Sequence, residues 1–197
     1  RLSLQEANIL CAMCNNISSV FVSSYLLLSS LKLYNRTFAT YAILYLPPLL
    51  TGLFLLRLTK SLPAKKNPAS VSNLNFQIID AGIMNGFETL LKLGGYIMLF
   101  SLLSQMCLRL AGTNEPAFLC LTGITEITNG IHAIAQSPVC PSAWKYPLLV
   151  GITAFGGLSG MAQTASMVKG TGISMRFYVG FRLLQTAISM LLAAVLF

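Results

Sequence analysis

Between Tyr146 and Val168 the chain carries no charged residue, and the run is long enough to cross a bilayer. Its middle, Phe155-Gly156-Gly157-Leu158-Ser159-Gly160-Met161-Ala162-Gln163, holds paired glycines, a serine and a glutamine where a plain anchor would use leucine and valine. Gly-Gly opens the backbone. Ser159 and Gln163 are spaced i,i+4 and share one face of any helix that resumes after the break. Two readings fit. One is a broken transmembrane helix whose break lines a substrate site near the midplane. The other is a helix packed closely on a neighbour through small residues.

Similar apolar runs recur along the chain. It is 55% hydrophobic and 9% charged, where a soluble domain has about 25% charged residues; mean hydropathy is +0.72. The expected class is an all-α membrane protein, a polytopic helical bundle in one domain over residues 1–197. A spanning segment has to satisfy its own backbone, and the short alternating strands of a barrel are missing from the pattern. The net charge of +8 sits in connecting segments. Arg57, Lys60, Lys65 and Lys66 cluster in one loop, which reads as the cytoplasmic side of a cell-membrane protein and not as a nucleic-acid site. Cys11 and Cys14 form a CxxC inside an apolar helix, without a second pair or a nearby His, so neither a metal nor another cofactor is expected. The chain begins at Arg1 with no initiator Met and no signal peptide, which fits a piece of a longer protein or a shortened member of its family.

From Ala7 to Leu31 no residue is charged, and Cys14-Asn15-Asn16-Ile17-Ser18-Ser19 interrupts the run. Lys32 to Arg36 make a turn. Thr37 to Leu56 is a span with Pro47-Pro48 at its centre, where a kink is expected. Residues 57–73 read as a loop. Leu74 to Lys92 is amphipathic and expected on the cytoplasmic interface, with Glu88 and Lys92 able to pair, ahead of a span from Leu93 to Leu108. Residues 112–115 make a turn. Pro116 to Ala135 is cut by Thr122–Gly130 into halves of about 10 residues, too short to span, which suggests a re-entrant hairpin. A loop from Gln136 to Trp144 leads to the broken run, a turn follows at 169–176, and Phe177 to Phe197 is the last span. The expected topology is thus five crossings plus a hairpin at about 114–137. A break followed by a plain span occurs near both ends of the chain, a hint of inverted repeats.

Glu126 is the only carboxylate in the apolar hairpin, flanked by Thr125, Thr128 and Asn129. An intramembrane carboxylate points to function, or to a structural Glu that ties the hairpin together. Asn15 and Asn16 could bind a polar ligand or cap the half-helices beside them. His132 reads as locally satisfied. No phosphate loop, metal cluster or nucleophile with a base is present in the sequence, so no enzyme is expected.

Three motifs in order, Cys14-Asn15-Asn16-Ile17-Ser18-Ser19-Val20-Phe21, then Leu121-Thr122-Gly123-Ile124-Thr125-Glu126-Ile127-Thr128-Asn129-Gly130, then Phe155-Gly156-Gly157-Leu158-Ser159 with Gln163, resemble the YlbJ-type sporulation integral membrane proteins of the nucleoside-recognition Gate domain group. The resemblance covers essentially the whole chain. In that family a Gly-aromatic-Pro hairpin precedes the first motif, and this chain starts after it. The Gate group in turn is similar to concentrative nucleoside transporters. That likeness implies that Glu126 corresponds to a substrate-contacting hairpin carboxylate, and Phe155 and Ser159 to a broken helix that contacts the nucleoside. Gly157 stands where those transporters carry a polar Asn.

The implied function is a transporter or permease for a small polar solute with a role in spore formation. The alternative is a non-transporting scaffold or sensor in spore-envelope assembly, with iron-permease-like ion permeation a weaker third reading. The expected substrate-binding residues are Glu126, Asn15, Asn16, Thr125, Phe155, Ser159 and Gln163, converging in one cavity. Expected partners are the lipid bilayer, a small polar solute and a coupling proton or cation, without nucleic acid; an oligomer is compatible with the pattern.

Overall fold

A computed structural model describes residues 2–59, 75–111 and 116–196. Every regular element among them is helical. Helix α1 (Leu4–Cys14) starts on a capping box, with Ser3 accepting from the Glu6 N–H while the Glu6 carboxylate accepts from the Ser3 N–H. The chain then opens for a few residues and resumes as a π-helical segment, Phe21–Leu31. Continuous helix α2 (Thr37–Leu58) follows. After α3 (Phe76–Ala111) come the short α4 (Pro116–Thr125) and α5 (Ile127–Gln136), α6 (Ser142–Phe155), α7 (Gly157–Met167) and α8 (Met175–Leu196).

Four helices are long and apolar enough to cross a membrane, with α6 and α7 counted as one interrupted span. A fifth crossing would need α1 and the π-helical segment together, because each has only 11 residues. The basic cluster at Lys60, Lys65 and Lys66 and the turn at 112–115 lie outside the described residues.

Helix α3 corrects one expectation. An interfacial helix at 74–92 followed by a separate span is instead one rod of 36 residues, about 54 Å long at 1.5 Å per residue. Gly94 and Gly95 do not break it, since glycine weakens a helix without removing its hydrogen bonds. Glu88 and Lys92 pair on its surface as the spacing predicts.

The prolines of α2 do not interrupt it either. Pro47 has no N–H to give the Ile43 carbonyl one turn back. Ser189 of α8 donates to that oxygen at 3.0 Å instead. A neighbouring hydroxyl thus fills the gap that proline leaves, as apolar surroundings require.

Contacts fix the directions of the elements. Gly52 of α2 lies against Met13 of α1, Tyr45 donates to the Ile17 carbonyl at 2.9 Å and Tyr41 to the Ser19 carbonyl at 3.0 Å. The first broken helix therefore runs antiparallel to α2. Near its start the Ser174 N–H donates to Asn8 Oδ1 at 2.7 Å, while its end reaches Thr164 through Asn15. So α1 and α7 are antiparallel half-helices at the same end of the bundle. Arg57, Lys169 and Arg176 belong to that end, and Lys32 and Arg36 to the other.

α6 packs against α8, and the α6–α7 span is the most enclosed of the four: 56% of its apolar stretch is buried, against 6% of the corresponding stretch of α3. Leu149 and Val150 meet Val22, Leu26, Ile43, Ile131 and Ile134 in the core. α4 and α5 fold back on each other as a hairpin. Gly123 and Gly130 meet so closely that a Cβ on Gly130 would lie 2.1 Å from the Gly123 Cα. Gly130→Ala should therefore force the two limbs apart and cost about 1–3 kcal/mol, as overpacking does. Gly82→Ala, with open space around it, should be neutral or stabilising. Thermal unfolding of both variants in detergent checks this.

Candidate functional site

The two breaks lie side by side. α1 ends at Asn15, whose backbone (φ −82°, ψ 72°) leaves the helix. α6 ends at Gly156, with φ +82°, a conformation glycine adopts without strain. Gly157 also has positive φ, and a Cβ there would sit 3.1 Å from the Ile127 side chain and 3.5 Å from the Thr125 carbonyl. The tip of the α4–α5 hairpin thus abuts the second break.

Hydrogen bonds lock this level. Asn15 Nδ2 donates to Thr164 Oγ1 and to the Tyr178 hydroxyl, each at 2.8 Å. Asn16 Nδ2 donates back to the Met13 carbonyl at 2.7 Å, closing the end of α1. Both asparagines therefore hold up the break. Asn15 ties three elements together, and Asn16 caps α1.

A cavity of about 450 Å³ opens beside this network. Of the residues expected from the sequence, Asn15, Asn16, Phe155 and Gln163 line it, together with Cys11, Thr164, Tyr178 and Arg182. Two other large grooves have almost wholly apolar walls, one against Leu46, Leu50 and Ile188, the other against Ile124, Leu148 and Leu183.

The remaining expected residues sit behind the cavity wall. Ser159 is buried and accepts from Gln163 Nε2 at 3.1 Å, the i,i+4 pair the spacing predicts; it orients Gln163 without facing the cavity. Thr125 spends its hydroxyl on the Leu121 carbonyl at 2.8 Å. Glu126 is buried between the limbs of the hairpin and caps α5, accepting from the Asn129 N–H at 2.9 Å. His132 is not among the residues that line the cavity.

Arg182 was missed from the sequence. It lies in α8, only 6% exposed. Its Nε donates to the Tyr178 hydroxyl at 3.1 Å, and its Nη1 donates to Asn16 Oδ1 at 3.2 Å and to the Ala154 carbonyl at 3.4 Å. The signal available was an arginine inside an otherwise apolar final span, which near a helix start also reads as a side chain reaching to the interface. One turn on, Gln185 is fully buried and donates to Thr51 Oγ1 at 2.6 Å.

The chain is thus an all-helical protein with membrane-spanning lengths and a polar-edged cavity at two helix breaks. Comparison with protein-family models, curated proteins and solved structures returns no match.

Asn15→Ala removes the donor shared by Thr164 and Tyr178, and should cost about 1–3 kcal/mol, the range for stranding buried polar partners. Glu126→Leu should lose the α5 cap, roughly 0.5–2 kcal/mol, while Glu126→Gln keeps an acceptor oxygen and most of the stability. Unfolding in detergent micelles measures all three.

Proposed function

We propose that the chain is a transporter or permease for a small polar solute, bound in the cavity at the two breaks. The observation that carries this reading is the polar network of Asn15, Asn16, Thr164, Tyr178 and Arg182 opening onto that cavity in an apolar bundle. Polar side chains at discontinuous helices are how transporters build a site at membrane depth. Two antiparallel broken helices, each followed by a continuous helix, support an inverted-repeat reading. The α4–α5 hairpin fits a re-entrant element, because each limb of 10 residues is about 15 Å long, half the hydrocarbon core of a bilayer.

In this reading Asn15 and Gln163 contact the solute, Phe155 packs against it, and Ser159 holds Gln163 in place. Glu126 couples a proton or cation from behind the wall, where it can bias the hairpin against α7. The end of the bundle bearing Arg57, Lys169 and Arg176 faces the cytoplasm. The resemblance to YlbJ-type proteins adds a cell-membrane location and a role in spore formation to the proposal. One observation favours the scaffold alternative: residues 76–88 of α3 are exposed throughout, a surface free for assembly.

Binding of a nucleoside and metabolite panel to the purified protein separates the two. A transporter binds a member of the panel, loses it on Gln163→Ala, and binds it more weakly on Glu126→Gln. A scaffold binds none, and its phenotype follows substitutions on the exposed face of α3.

A further inference from the structure

Among the described residues, Arg182 is buried without a counter-ion. Of the carboxylates that are described, Glu6 closes the cap of α1, Glu88 pairs with Lys92, Glu126 caps α5 and Asp80 lies on the exposed part of α3. The partners Arg182 does have are all neutral: a phenol, an amide oxygen and a backbone carbonyl. The Tyr178 ring, 5.3 Å from the guanidinium carbon, adds a cation–π contact. These groups orient the guanidinium but leave its charge uncompensated, and its Nη2 has no partner among the described residues. An arginine within a span pairs with a carboxylate or with backbone carbonyls; among the described residues Arg182 has a single carbonyl, that of Ala154, and no carboxylate.

A second feature points the same way. Helix α7 starts just after Gly156, which lines the same cavity, and no side chain caps its N-terminus. Its first N–H groups and the positive end of its dipole favour negative charge. A cation in the cavity would meet both the guanidinium and this helix end.

We propose that the transported solute is an anion, whose carboxylate or phosphoryl group docks on Arg182 at the break beside the α7 N-terminus. This rests on the transporter reading of the same cavity and names its substrate class. The guanidinium fork suits such a group, because charge-assisted bonds to an oxyanion are about twice as strong as neutral ones. Asn15 and Gln163 then read the rest of the solute. Binding neutralises Arg182, so the loaded and empty cavities differ in charge, and that difference lets the solute bias the packing of α7 against α8.

Cys11 lines the same cavity and serves as the probe. In a protein with Cys11 as its sole cysteine, reconstituted in phosphatidylcholine vesicles, the sulfonatoethyl and trimethylammonioethyl methanethiosulfonates are compared for their rates of reaction. The anionic reagent is expected to be favoured. That preference should fall by about tenfold or more in Arg182→Gln, the scale of a nearby unit charge in a partly screened site, and persist in Arg182→Lys. Asn16→Asp places a carboxylate within hydrogen-bond reach of Arg182 and should remove the preference without removing the arginine, which keeps the test open if Arg182→Gln does not fold. An unchanged preference in Asn16→Asp overturns the proposal. So does a preference that vanishes only when phosphatidylglycerol is added, which would assign Arg182 to a lipid headgroup. Uridine binding that needs Gln163 and survives Arg182→Gln overturns the anion while leaving the transporter standing. Failure of both reagents to reach Cys11 removes the cavity as a solute site, and the transporter reading with it.

Discussion

The amide of Asn15 holds the two broken helices at one level. Its donations to Thr164 and Tyr178 join α1, α7 and α8 across a separation of well over a hundred residues in sequence. Apolar surroundings offer no water to a frayed helix end, so each interruption has to be closed by a neighbour. The first break is closed by Asn15 and Asn16, with Tyr41 and Tyr45 of α2 reaching the carbonyls of Ser19 and Ile17. The hairpin tip is closed by Glu126. The second break rests on that tip through Gly157. Breaks that share their closures have to sit together, and a cavity with polar edges follows from that clustering.

Much of this was legible because a polar or glycine cluster in an apolar run stands out. The interruptions near Asn15, Glu126 and Gly156 all fall where the sequence places them, and the limbs of the hairpin match in length. The junction at Leu93 was not legible. Amphipathic and uniformly apolar segments differ in composition, yet nothing between them stops a helix, so α3 runs through. The π-helical winding of Phe21–Leu31 has no counterpart in periodicity.

The site was legible in part. Asn15, Asn16, Phe155 and Gln163 reach the cavity, whereas Thr125, Ser159 and Glu126 turn to local partners. Sequence marks a polar side chain in an apolar run but does not tell whether its hydrogen bonds are already taken. Arg182 was hidden for the opposite reason. Its burial depends on Asn16 and Ala154, residues distant in sequence, and only tertiary contact reveals them.

The bond from Ser189 to the carbonyl freed by Pro47 bears on which parts of the molecule can move. Sliding α2 along α8 by one helical turn would strand that carbonyl and part Gln185 from Thr51 as well. Proline thereby acts as a register pin: it frees an acceptor that Ser189 of the partner helix takes up, fastening two helices into one frame. The α4–α5 hairpin and the half-helix α7 have no such pin and are held by side-chain hydrogen bonds instead, Asn129 to Ser101 and Asn15 to Thr164.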